Sequence, residues 1–224
     1  MNSALWAKVM QEIKSHMSMA LYHVYLAWQK SLDTIRDFRY DSRLGIETTG
    51  YYIPRNPQTF FGDEFRYGTM EYSIFEKIIP FLQLNENDIF VDIGCGKGRA
   101  VLYAATRKIK KVIGIEYEKS LVDIARKNIS SFKALKTEIE IIQADAGTYE
   151  TTEGTVFFLN NPFGYKTLIK VLDNIRNSTL AYPRKVRIAY YGKLYKVLLD
   201  TAGWLEPEGE INGTGFFVWH NVLN

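Results

Sequence analysis

The sequence predicts an α/β protein built on a mixed sheet, and three observations carry that expectation. From about residue 65 onward, apolar runs of strand length alternate with segments of helical periodicity. Those strands read as continuous hydrophobic runs, the pattern of parallel strands buried on both faces of a doubly wound sheet. The last stretch, WLEPEGEINGTGFFVWHN, instead reads as two strands joined by an Asn-Gly turn, hence an antiparallel edge hairpin.

Taken in order, residues 3–36 set Val9, Ile13, Met17, Leu21, Val24, Trp28, Leu32 and Ile35 at spacings of three and four. That is one apolar stripe of a long amphipathic helix. Such a helix is expected to pack on the main domain or on a second subunit; a membrane surface or a partner groove is the alternative. Its most apolar piece, 17–28, is too short to span a bilayer and contains His23. Residues 40–68 are rich in turn signals, and YYIPRNPQTFFGDEFRYG (51–68) is dense in aromatic rings. Such a segment is either strapped to the core by its rings or a lid over a site.

Residues 70–82 then have helical spacing that stops near Pro80, and DIFVDIG (88–94) is a strand. Helix is expected over 98–108, strand over 111–117, helix over 119–132, and strands over 138–145 and 155–160. A helix over 165–177, a strand over 185–191, a helix over 192–203 and a final strand over 213–222 complete the series. The chain divides on this reading into a helical and aromatic-rich cap, 1–64, and a domain, 65–224.

Composition narrows the function. A 224-residue chain with 46% hydrophobic and 24% charged residues has the make-up of one substantial globular domain with a small appendage. The net charge of +3 is too mild to argue for nucleic acid. A single cysteine, Cys95, leaves no room for a disulfide framework or a thiolate zinc site, and three scattered histidines suggest no metal. No signal-peptide pattern follows Met1, so a cytoplasmic, reducing compartment is expected.

The chemistry begins at FVDIGCGKGRAVL (90–102), which follows a strand and opens a helix. Gly94, Gly96 and Gly98 allow positive φ and close approach of another molecule to the backbone. Dinucleotide enzymes use a related loop to hold a pyrophosphate at a helix N-terminus. Here Asp92 stands two residues before the first glycine, and a carboxylate at the strand tip suits an ammonium group rather than a pyrophosphate. Glu116 ends the next strand, where a carboxylate can accept both hydroxyls of a ribose. Cys95 reads as a small residue in a tight loop, and Lys97 and Arg99 as solvated or carboxylate-pairing.

VDIGCGKGR, GIEYE and QADA together resemble the first three motifs of class I S-adenosylmethionine-dependent methyltransferases. The resemblance covers about residues 65–222 and implies a Rossmann-like, seven-stranded mixed sheet with an antiparallel C-terminal hairpin, here with an N-terminal helical extension. It implies S-adenosylmethionine as cofactor and S-adenosylhomocysteine as product. Asp92, Gly94, Cys95, Gly96 and Gly98 would wrap the methionine end, Glu116 would hold ribose, Tyr117 would flank adenine, and Asp145 with Ala146 would meet the adenine amine. A Tyr-Gly segment ahead of the loop, Tyr67-Gly68-Thr69-Met70-Glu71-Tyr72, is similar to one in the non-SET histone lysine methyltransferases and adds Tyr67 and Thr69 to the cofactor set. The likeness is strongest to small bacterial methyltransferases with an Asn-Pro-Phe motif.

The fourth strand ends in Asn160-Asn161-Pro162-Phe163, where this fold presents the methyl acceptor, and Asn160 would reach the methyl donor as well. An uncharged carboxamide oxygen accepts a hydrogen bond from an N–H and orients an amine without favouring the unreactive ammonium. Phe163 could offer a ring face to developing positive charge. Alternatively Asn161-Pro162 makes a turn and Phe163 packs beneath it. The expected function is N-methylation of a protein lysine or a small amino compound. No basic tail of the kind that reaches nucleosomes is present, which argues against chromatin. O-methylation of a small hydroxylated metabolite is the alternative within enzymes, and a non-catalytic adaptor the alternative outside them. No nucleic acid or membrane insertion is expected, and a homodimer through the long helix is compatible with the stripe.

Overall fold

The computed structural model describes residues 19–52 and 67–222. The first half of the expected long helix and the centre of the aromatic-rich segment lie outside the described residues. Helix α1 spans Met19–Leu44. It runs eight residues past the expected end at 36, because Asp37 and Asp41 leave its apolar periodicity yet are buried by partners far along the chain. Tyr51–Tyr52 (β1) and Tyr67–Gly68 (β2) then pair antiparallel, and α2 spans Tyr72–Leu82 with Pro80 in its last turn.

The main domain follows as β3 (Ile89–Ile93), α3 (Arg99–Ala104), β4 (Lys111–Glu116), α4 (Lys119–Ser131), β5 (Ile139–Gln143) and β6 (Val156–Leu159). It ends with α5 (Tyr165–Ala181), β7 (Arg187–Tyr191), α6 (Lys196–Asp200), β8 (Leu205–Ile211) and β9 (Phe216–Asn221). The expected helices over 98–108 and 192–203 are shorter than their periodicity suggested. Gly192, at φ 144, holds the second back to Lys196.

These strands form one seven-stranded sheet in the order β5-β4-β3-β6-β7-β9-β8. β5, β4, β3, β6 and β7 are mutually parallel, while β9 runs antiparallel to both β7 and β8. The parallel strands β3 and β6 are buried at every position, as continuous apolar runs require. One face carries Phe75, Ile78, Phe90, Val101, Val122 and Phe158 beneath α2, α3 and α4. The opposite face carries Val91, Phe157, Leu168, Ile175, Ile188 and Trp219 beneath α5 and α6. Strand order reverses between β3 and β6, and the crevice beyond the carboxyl ends of the strands at such a point is where doubly wound sheets bind ligands.

Of the two expected uses of the stripe of α1, packing on the main domain is not the one seen at its described residues. Trp28, Leu32 and Ile35 are 57%, 42% and 51% exposed, so this described part of the apolar stripe faces outward. The helix instead meets the domain through Asp37 and Asp41, which are 4% and 3% exposed.

Candidate active site

The crevice at the reversal point is walled by the loop after β3 on one side and the turn after β6 on the other. Gly94, Gly96 and Gly98 have φ of 79°, 53° and 86°, in the region that favours glycine. At Gly94 the reason is also spatial: a Cβ there would collide with the Pro162 ring. The two walls therefore touch at Gly94 and Pro162. The loop is pinned to the neighbouring strand by the N–H groups of Gly94 and Cys95, both 2.9 Å from the carbonyl oxygen of Ile115.

Asp92 sits at the floor of this cradle and is 3% exposed. Among the described residues its carboxylate has neither a hydrogen-bond partner nor an ion pair. Burial first, and then the Glu116 charge, push its pKa up to about 8. A desolvated carboxylate in this condition gains strongly from a cationic ligand. Glu116 faces the same crevice. Its Oε2 accepts from Gly96 N–H and its Oε1 from Glu118 N–H, each at 2.9 Å. Burial raises its pKa, and these backbone bonds with that of Tyr117 oppose the shift. Each oxygen keeps a lone pair for a diol hydroxyl.

The remaining expected cofactor residues are placed as follows. Tyr117 presents an exposed ring, 63% accessible, beside Glu116. Asp145 is exposed and closes a turn by accepting from Gly147 N–H at 2.8 Å, and Ala146 packs on the core beside it. Cys95 lines the loop by its backbone alone. Its thiol is buried, and burial together with the Asp92 and Glu116 charges raises its pKa well above the usual range. Tyr67 is placed by backbone pairing with Tyr52. The Thr69 hydroxyl lies 3.0 Å from the carbonyl oxygens of Thr48 and Gly50 and so ties this segment to the extension.

The turn after β6 sorts the paired asparagines. Asp92 pairs with Phe158 in register, and β6 ends one residue later at Leu159, so Asn160 and Asn161 both lie in the bend beyond the strand. Asn161 has φ 43°, and its Oδ1 accepts from the Tyr190 hydroxyl at 3.0 Å. Asn160 is half-buried and has no hydrogen-bond partner among the described residues. Phe163 is placed otherwise than as a ring offered to the acceptor: it is 8% exposed and lies in the core cluster with Leu159, Leu168 and Trp219. It supports the turn from beneath.

Sequence reasoning also missed Tyr190, Asp37 and Asp41. Tyr190 is buried at 1% exposure in what read as an ordinary strand. The spacing of Asp37 and Asp41, four apart and opposite the apolar stripe, was the one available signal that this side of α1 docks. Lys97 and Arg99 prove to be carboxylate-pairing rather than solvated, being 8% and 3% exposed. Lys97 meets Glu47 at 2.7 Å, and Arg99 meets Asp37 and Asp41.

By sheet order, glycine loop and acidic strand tips, the chain has the fold of the class I S-adenosylmethionine-dependent methyltransferases. The family described as "Histone methylation protein DOT1" matches residues 59–169, just under half of the chain. A histone-lysine N-methyltransferase specific for H3 lysine 79, from Dictyostelium discoideum, is 28% identical over 120 residues. That match spans 48% of this chain but only 6% of the relative. Among solved structures, an RNA methyltransferase from Salinibacter ruber bound to S-adenosyl-L-homocysteine superposes with a TM-score of 0.52 at 20% identity. It covers 69% of this chain and 93% of that one. A methyltransferase of Methanococcus maripaludis, described as S-adenosyl-L-methionine-dependent, superposes with a TM-score of 0.53 at 16% identity, over 67% and 84% of the two chains. No helix of the described residues is long and apolar enough to cross a membrane.

Proposed function

We propose that the protein is an S-adenosylmethionine-dependent methyltransferase that N-methylates an amine, either a protein lysine or a small amino compound. The observation that carries this reading is the buried, unpartnered Asp92 carboxylate beneath a glycine loop that also positions Glu116. A desolvated carboxyl at the floor of the cradle ionises against an ammonium or a sulfonium and offers a pyrophosphate no partner. The cofactor supplies an electrophilic methyl on sulfur. Asp92 binds its ammonium, Glu116 its ribose hydroxyls and Asp145 its adenine amine, with the Tyr117 ring alongside, while Gly94, Gly96 and Gly98 admit it to the backbone.

The acceptor stands against the turn after β6. Of the two asparagines, Asn160 is the one without a hydrogen-bond partner among the described residues, which supports it as the one whose carboxamide oxygen would take an N–H of a neutral amine and turn the nitrogen lone pair toward the methyl. Asn161, engaged by Tyr190, holds the turn, and Pro162 and Phe163 fix its seat against Gly94 and the core. Likeness to a lysine methylation family supports nitrogen as the acceptor. The outward stripe of α1 supports association of two copies, and one buried thiol fits a reducing, cytoplasmic compartment.

Incubating the protein with methyl-labelled cofactor and cell lysate, then identifying labelled species by mass spectrometry, tests the reading. Labelled amines are expected, with turnover cut about 100-fold in Asn160→Ala, the scale of lost positioning. Labelled hydroxyl compounds, or an Asn160→Ala variant that methylates normally, would assign the acceptor elsewhere.

A further inference from the structure

We propose that Arg99 is a positioning residue for the glycine loop, clamped by Asp37 and Asp41 of α1, so that the N-terminal extension sets the cofactor site instead of merely covering it. This rests on the cofactor site proposed above. Arg99 opens α3 immediately after Gly98 and is 3% exposed. An arginine does not lose its proton in a protein, so a buried one must find acceptors for its N–H groups. Nη1 donates to the Asp37 carboxylate and to the carbonyl of Met70, the latter at 2.8 Å. Nε donates to the Thr48 hydroxyl and Nη2 to the Thr49 hydroxyl, both at 2.7 Å. Nη2 also lies 3.8 Å from Asp41 Oδ1, and the guanidinium carbon stands 4.1 Å from the centre of the Tyr72 ring.

The acceptors are themselves held. Asp41 accepts from the N–H groups of Thr48 and Thr49 at 2.6 and 2.7 Å and from the Tyr72 hydroxyl at 2.7 Å. The clamp is thus a closed network across α1, the segment after it, α2 and the glycine loop. A bond between remote elements could serve stability alone, but the same extension grips the loop on the other side of Gly98 as well. Lys97 Nζ donates to Glu47 at 2.7 Å and lies 3.3 Å from the carbonyl of Thr49. Asn128 of α4 donates to the carbonyls of Lys97 and Glu47, both at 2.9 Å, and accepts from Glu47 N–H at 2.8 Å. Residues flanking Gly98 are therefore fixed from outside the sheet, and Gly98 itself takes φ 86° between them. The glycines make the loop able to adopt its shape, and the extension chooses the shape. With its charge matched by Asp37 and Asp41, Arg99 also leaves the field at the cradle to Asp92 and Glu116.

The test compares Arg99→Gln, Asp37→Asn and the double variant Asp37→Asn/Arg99→Gln with the parent. Three readouts are taken: melting temperature, calorimetric affinity for S-adenosylhomocysteine, and hydrogen exchange of the unliganded protein. In Arg99→Gln, affinity is expected to fall about 10-fold or more, within the usual range for coupling between sites. Amides of residues 94–99 exchange faster in this variant while those of β7 and β9 keep parental rates. The double variant, which leaves no lone charge at the nearer pair, regains melting temperature but neither affinity nor loop protection. Should Arg99→Gln not fold, Asp37→Asn carries the same comparison with the same directions. Unchanged loop exchange, or a double variant in which affinity and melting temperature recover together, would overturn the proposal in favour of a structural ion pair. Failure of the parent to bind S-adenosylhomocysteine would sink the cofactor reading, yet loop exchange in the unliganded protein would still decide the role of Arg99.

Discussion

Asp92 concentrates the electrostatics of the site in one carboxyl group. Its pKa of about 8 follows from burial without a partner, with Glu116 adding repulsion. The folded protein therefore holds this proton more tightly than the unfolded chain does. Between the ordinary carboxylate range near pH 4 and about pH 8, ionising Asp92 costs stability, which declines as pH rises through that window. Cofactor binding has the opposite dependence, because an ammonium needs the ionised form. Affinity for S-adenosylhomocysteine is expected to climb by up to about 10-fold per pH unit on approaching pH 8, flatten as Asp92 becomes fully ionised, and fall again once the ligand's own amine loses its proton. Calorimetric titrations across this window in parent and Asp92→Asn check it: the variant loses the climb and binds more weakly at the top. The same climb in both proteins would show that another group titrates. Asp92 and Glu116 were singled out by their place at strand tips beside a glycine loop, while Asp145 came only with the family resemblance. For Phe163 the sequence left a ring offered to the acceptor and a ring packed beneath the turn both open, and its burial depends on which strands and helices lie beneath it.

At the scale of elements, the alternation of both-face-buried strands with helices gave the sheet, because burial of a parallel strand leaves its mark along the strand itself. Periodicity failed where a distant charge decided the outcome. It located the apolar stripe of α1 and offered it either to the main domain or to a second subunit. The structure turns the helix so that Asp37 and Asp41 reach Arg99, some sixty residues away, and leaves Trp28, Leu32, Ile35 and Phe38 outward. If the stripe is a surface for a second copy, sedimentation velocity should show a dimer that dissociates in Leu32→Glu with S-adenosylhomocysteine affinity retained. A parent protein that stays monomeric at high concentration would reject that association. The paired asparagines are a milder case: sequence left the two equivalent, and the structure engages Asn161 with the Tyr190 hydroxyl while Asn160 has no hydrogen-bond partner among the described residues.

At the scale of the whole molecule, the strand order brings a glycine loop, the Glu116 carboxylate and a carboxamide turn from distant segments to one end of the sheet, and the extension is hydrogen-bonded to the residues on either side of Gly98. The resemblance in sequence and the likeness to solved methyltransferases agree on this frame. The network of Asp37, Asp41, Thr48, Thr49 and Arg99 is what neither motif spacing nor fold likeness contained. The measurement that tests the account most directly is a calorimetric titration of the full chain with S-adenosylmethionine, run beside Glu116→Ala. The account predicts one site in the parent and an affinity at least about 10-fold weaker in the variant, as expected for loss of charge-assisted hydrogen bonds. No binding by the parent, or equal binding by both proteins, would contradict it.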